Sequence, residues 1–217
     1  MKKNLTTEEF IKILYVICDD IEKNKDYFSE LDRATGDGDH GVTMSIGWTA
    51  VKEKLDTLSN DLTFDKICMQ VASSFLSAVG ASAGPLYATA LMRGGAKLKD
   101  LKSSNASQIA DFFEAAANGI KERGKAELGD KTMLDVWIPA AETIKKTSIA
   151  EEDIIEILKQ GALKAKQAMD STKDMLSKKG RSSKLGERSK GHIDPGAASS
   201  AMIISTFFEA IRNLDNI

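Results

Sequence analysis

Phe10-Ile-Lys-Ile-Leu-Tyr-Val-Ile-Cys-Asp-Asp-Ile21 runs toward Leu31-Asp-Arg-Ala-Thr-Gly-Asp-Gly-Asp-His-Gly41, and the first stretch decides how the second is read. Phe10, Leu14, Ile17 and Ile21 recur at helical spacing. Gly36-x-Gly38-x-x-Gly41 has the letters of a dinucleotide fingerprint, but that motif needs a strand before it and a βαβ unit around it. A helix precedes it here, so the fingerprint is rejected. Gly119-Ile-Lys-Glu-Arg-Gly124-Lys125-Ala126 approaches a P-loop, yet Ala126 replaces the hydroxyl residue and again no strand leads in. An EF-hand fails as well, because Gly41 and Trp48 stand where an oxygen ligand and a bidentate glutamate are needed.

Outward from this point the helical pattern is nearly continuous. Thr6-Thr-Glu-Glu9 forms a capping box ahead of a first helix reaching about Tyr27. Further helices are expected over about Gly41–Leu58, Phe64–Val79, from near Pro85, and over about Ser107–Arg123, Lys131–Lys146, Ala150–Leu176 and Gly196–Leu214. Pro85 suits a first helical turn. No run of alternating β-branched residues makes a convincing strand. The expected fold is all-α, a closed barrel or bundle of about eight antiparallel amphipathic helices with short connections.

The 217 residues fit a single domain, 1–217, with a substantial core. Thirty basic residues against 32 acidic ones give no general attraction to nucleic acid or an anionic membrane. The apolar runs are too short to span a bilayer and the Met-Lys-Lys-Asn-Leu start has no signal-peptide core, so a cytoplasmic protein is expected. Cys18 and Cys68 lie in helical apolar patterns and read as buried small hydrophobes.

The connections carry the chemical information. Asp32, Asp37 and Asp39 fall within eight residues. Carboxylates so close repel one another unless a cation lies between them, and Mg²⁺ takes a few carboxylate oxygens with phosphate and water completing its shell. An Asp-Gly turn in solvent is the other reading of the same residues. Gly80-Ala-Ser-Ala-Gly-Pro85 places small residues at a helix start, where N–H groups face an anion or helices cross closely. Gly124-Lys-Ala-Glu-Leu-Gly-Asp-Lys-Thr-Met133 is a polar turn in which Asp130 suits a helix cap. Ser177 to Gly196 is long for a loop and locally basic, with six Lys/Arg against two acids, as suits either a lid over phosphates or a solvated loop. If these four connections meet at one end of a bundle, they offer metal ligands, phosphate donors, an apolar wall and cationic cover. Phosphoryl transfer by positioning and electrostatics is the reaction class this implies.

Leu31-Asp-Arg…Gly36-Asp-Gly-Asp-His-Gly41, Gly124-Lys-Ala…Gly129-Asp-Lys-Thr-Met133 and Lys179-Gly-Arg-Ser-Ser…Leu185-Gly-Glu-Arg-Ser-Lys-Gly-His-Ile-Asp-Pro-Gly196 closely resemble the nucleotide-binding L subunit of dihydroxyacetone kinase, DhaL. The match is collinear from about residue 8 to residue 217 and covers three long motifs. The resemblance implies a barrel of eight antiparallel amphipathic helices with the nucleotide at one end. It implies two Mg²⁺ ions held by Asp32, Asp37 and Asp39, and ADP or ATP met by His40, Gly41, Val42 and Thr43. It further assigns Ser82 and Ala83 to the small-residue loop contacts, Gly124 and Met133 to the adenine pocket, and Arg181, Asp194, Pro195 and Gly196 to the lid.

The implied activity is that of a kinase subunit working only with partners. A phosphohistidine on an M subunit rephosphorylates retained ADP, and the γ-phosphate passes to dihydroxyacetone on a K subunit. No general base is expected on this chain, so His40 and His192 read as nucleotide and lid residues. The resemblance leaves alternatives: an ATP-dependent kinase subunit or paralogue with another acceptor, and an ADP-bound co-regulator of transcription acting through a DNA-binding partner. Some positions depart from the family pattern. Ala83-Gly84-Pro85 stands where Ser-Gly-Pro is common, with Ser82 one place earlier. Thr43 replaces a frequent asparagine, a feature of ATP-using relatives, while His40 agrees with the phosphotransferase-linked ones. Lys184 and Lys190 add lid charge where Tyr and Ile are common.

Overall fold

Thr6 begins the first helix. Its backbone is extended, its hydroxyl accepts from Glu9 N, and the Glu9 carboxylate accepts from Thr6 N at 2.9 Å, the expected capping box. Helix α1, Thr7–Lys23, turns Phe10, Ile13, Leu14, Ile17 and Ile21 inward. The structure, a computed structural model, describes residues 1–59 and 61–214.

The expected first helix to Tyr27 is interrupted at Asn24. The Asn24 side-chain amide donates to the Asp20 carbonyl at 2.8 Å, and its own N–H reaches the same oxygen at 3.1 Å. A short side chain that satisfies a backbone group ends the helix there. Chain growth resumes as α2, Lys25–Arg33, which carries Asp32. The aspartate stretch is therefore partly helix and only partly loop.

The remaining helices are α3 (His40–Leu55), α4 (Phe64–Ala78), α5 (Ala83–Lys97), α6 (Ala106–Gly124), α7 (Leu134–Thr147), α8 (Ile154–Ser171) and α9 (Pro195–Arg212). Helix α8 starts four residues later than expected, because Asp153 caps it by accepting from Ile155 N. Helix α7 starts at Leu134 because Lys131 has a left-handed backbone, φ +61°. Each of α3 to α9 packs on the next, and α1 packs on both α3 and α9. Among the described residues, the eight long helices thus close into the antiparallel barrel expected from the sequence, with α2 laid against α3 and α9 at one end.

Sequence periodicity gave no strand, yet Asn4–Thr6 (β1) and Ser103–Asn105 (β2) pair antiparallel, Leu5 opposite Ser104. Three residues are too few to show a period of two. Each strand ends in a helix cap, Thr6 for α1 and Asn105 for α6, so the bridge ties two helix starts together.

Phe10 sits within the barrel with its ring 5.4 Å from Phe64 and 6.1 Å from both Phe112 and Phe207. Phe113 continues the cluster to Phe207 and Trp137. Cys18 and Cys68 are buried and unpaired, as expected. Burial pushes the Cys18 thiol up to about 12 and raises Cys68 as well, so neither is a thiolate near neutral pH. No helix among the described residues is long and apolar enough to cross a membrane.

Candidate functional site

Asp32 lies near the end of α2, and the chain turns tightly after it, with Thr35 N and Gly36 N both donating to the Asp32 carbonyl. Its carboxylate reaches across the turn to accept from Asp39 N at 2.9 Å and His40 N at 3.3 Å. Asp32 thus caps α3 from a distance, a task that Asp39, at the cap position, does not perform with its own side chain. Gly41 lets the start of α3 lie against the Lys25 carbonyl, where any Cβ would collide. The result is that one oxygen from each of Asp32, Asp37 and Asp39 falls within 4.8 Å of the others.

The Arg181 guanidinium meets Asp37 and lies 3.4 Å from Asp39. The expected lid residue therefore brings positive charge to the carboxylate cluster itself. Three hard oxygen donors at this spacing, drawing in a cation from another part of the chain, fit Mg²⁺ as a ligand set.

His40 points into the barrel end. Its Nε2 is 2.9 Å from Ser199 Oγ, and its ring meets Phe28 edge-on at 6.3 Å. Burial pushes its pKa down to about 4, against the pull of Asp32, so the ring is neutral at pH 7 and acts through hydrogen bonding. Ser199 continues to the Tyr87 hydroxyl at 3.2 Å, and Tyr87 reaches Ser200 at 3.1 Å. Trp137 Nε1 donates to the same Ser200 hydroxyl at 3.0 Å. This buried chain joins α3, α5, α7 and α9 behind the aspartates. Sequence reading missed it, because two serines in a run of small residues look like helix packing.

Three of the four connections meet at this end, with Arg181 of the basic segment on the aspartates and Lys179 Nζ donating to the Lys125 carbonyl at 2.7 Å. Met133 lies beside Gly196, where a Cβ on the glycine would stand 3.6 Å from the Met133 side chain. Gly124 faces Leu86 of α5. Asp194 caps α9 by accepting from Ala197 N at 2.8 Å, and Pro195 fills the first helical position. Burial raises Asp194 to about 7, helped by Asp135 and Asp32 and opposed by the cap bond and Lys131. Thr43 N makes the first turn of α3 by donating to the Asp39 carbonyl. Val42 is 51% exposed beside the aspartates. Ser82 is exposed and Ala83 half-buried at the start of α5. Among the described residues, neither makes a hydrogen bond or ion pair to the aspartates.

The Gly124–Met133 turn is organised differently from the sequence expectation. Asp130 accepts from Glu127 N and closes its own turn, while Asp135 accepts from Gly129 N at 2.5 Å and Thr132 N at 2.8 Å. Asp135, inside α7, thus does the work assigned to Asp130. The basic segment is also more ordered than a structureless loop. Arg181–Ser189 form 3₁₀ turns interrupted at Gly186, and Ser189 is fully buried. Lys131, whose role no motif suggested, sends its ammonium into this segment.

The DAK2 domain family matches residues 34–209. The chain is 39% identical over 184 residues to the PEP-dependent dihydroxyacetone kinase ADP-binding subunit DhaL of Escherichia coli (strain K12), spanning 84% of this chain and 87% of that protein. It is 35% identical over 210 residues to the PTS-dependent dihydroxyacetone kinase ADP-binding subunit DhaL of Lactococcus lactis subsp. lactis (strain IL1403), spanning 95% and 99%. The fold matches the crystal structure of the dihydroxyacetone kinase from C. freundii in complex with AMP-PNP and Mg²⁺, with a TM-score of 0.73 and 19% identity, over 96% of this chain and 35% of that one. The chain belongs to the DAK2 domain family, among the DhaL subunits of the dihydroxyacetone kinases.

Proposed function

We propose that this chain is the ADP-carrying subunit of a phosphotransferase-system-dependent dihydroxyacetone kinase. It retains Mg-ADP/ATP as a cofactor, accepts a phosphoryl group from a phosphohistidine on an M subunit, and passes it to dihydroxyacetone bound on a K subunit. It works in the cytoplasm, in glycerol metabolism, as one DhaL-like domain over 1–217, of which residues 60 and 215–217 lie outside the described residues. The observation that carries this reading is the convergence of the Asp32, Asp37 and Asp39 carboxylates within 4.8 Å beside the start of α3. The names of the relatives support the nucleotide and the donor system.

Asp32, Asp37 and Asp39 would hold two Mg²⁺ ions, which would supply neutralisation of the phosphate charge. The protein supplies position. Asp32 fixes the start of α3 and so orients His40, Gly41, Val42 and Thr43 toward the phosphates and ribose. Neutral His40, held by Ser199, offers hydrogen bonding without adding charge. Ser82 and Ala83 border the phosphates from α5, Gly124 and Met133 line the adenine side, and Arg181 with Asp194, Pro195 and Gly196 covers the site. Catalysis by this chain then consists of placement and charge compensation, with acceptor chemistry left to the partner.

The test is reconstitution with the K subunit, dihydroxyacetone and phosphorylated M subunit. Dihydroxyacetone phosphate is expected only when all three proteins and Mg²⁺ are present. Turnover driven by free ATP with M omitted would contradict the proposed donor.

A further inference from the structure

Lys131 is 2% exposed and adopts φ +61°, a backbone conformation that costs a non-glycine residue. Its ammonium donates to the carbonyls of Ser189 at 2.5 Å, His192 at 2.7 Å and Met175 at 3.4 Å. An ammonium has three donors, and here every one goes to the backbone of the same distant segment. Those carbonyls bracket Arg181. The turn that bears Lys131 is itself held rigid by Asp130 and Asp135. The segment folds back on itself through Ser177 N to Ser189 Oγ at 3.0 Å and Gly191 N to the Lys173 carbonyl at 2.8 Å.

A buried ammonium stripped of these acceptors would be left uncompensated, which is far more costly than any packing it supplies. Opening of residues 175–192 therefore requires water to reach Lys131. We propose that Lys131 is the positioning residue that latches this segment over the aspartate site, setting Arg181 against Asp37 and Asp39 and thereby the residence time of the bound nucleotide. Burial lowers the lysine pKa, with Asp194 and Asp174 opposing, in keeping with an ammonium enclosed by the closed segment. The inference rests on the nucleotide reading above, but the latch itself is measurable without nucleotide.

Competitive acetylation of the wild-type protein, mapped by mass spectrometry, gives the first readout. Lys131 is expected to react at least about tenfold more slowly than exposed Lys184. Equal reactivity would overturn the latch. The second readout uses Lys131→Met. Tryptic cleavage within residues 178–190 and dissociation of Mg-ADP are each expected to quicken about tenfold or more, with helical content unchanged. Alkylating Lys131→Cys with 2-bromoethylamine restores a lysine-like ammonium, while buried Cys18 and Cys68 stay unmodified. Both rates should then return toward wild type. Unchanged cleavage and dissociation in Lys131→Met would refute the proposal. If that variant does not fold, wild-type acetylation still decides. A wild-type protein that protects Lys131 but binds no Mg-ADP would sink the nucleotide reading and leave the latch standing.

Discussion

Asp37→Ala is expected to lower dihydroxyacetone phosphate formation at least about a hundredfold in the reconstituted system, while leaving helical content intact. The choice of residue matters. Asp32 also caps α3 through Asp39 N and His40 N, so its removal would mix lost ligation with a frayed helix start. Asp37 is half-exposed and its partner among the described residues is Arg181, also exposed. An exposed pair of this kind contributes on the order of 0–1 kcal/mol. A large loss of transfer with little loss of stability therefore isolates the ligand role. Wild-type turnover in Asp37→Ala, with K and M subunits supplied, would rule out the metal assignment.

Stripping nucleotide and Mg²⁺ together should lower the melting temperature clearly. A ligand that binds only the folded state at about a hundred times its dissociation constant adds about 2.7 kcal/mol. A chain of this size moves roughly 2–4 °C per kcal/mol, so the expected fall is about 5–11 °C, recovered on adding Mg-ADP. Magnesium alone should recover much less, because three carboxylates leave most of its coordination to phosphate and water. No shift on adding Mg-ADP would argue against a nucleotide site at this end of the barrel.

The barrel was legible because its helices announce themselves locally. Phe10, Leu14, Ile17 and Ile21 mark a single face, and Thr6 with Glu9 marks where it begins. The break at Asn24 was not legible, since an asparagine side chain either ends a helix or is tolerated within it, according to its rotamer. The β1–β2 bridge was hidden by its length. The aspartate cluster stood out because like charges in close sequence demand a compensating partner, although the sequence did not reveal that Asp32 doubles as the cap of α3. Lys131 was the hardest residue to read. A lysine in a Gly-Asp-Lys-Thr turn looks solvated, and its acceptors are main-chain carbonyls 44, 58 and 61 residues away, which no side-chain pattern betrays. The Ser199–Ser200 pair was hidden for a similar reason: small hydroxyl residues look like packing until Tyr87, Trp137 and His40 converge on them.

The most direct measurement is nucleotide content. Protein purified without added nucleotide is heat-denatured, and the supernatant is resolved by ion-exchange chromatography against adenine nucleotide standards. The account predicts ADP near one equivalent per chain, held through purification as a cofactor. An empty protein that binds and releases ATP freely would contradict it and place this chain with the ATP-driven kinases instead.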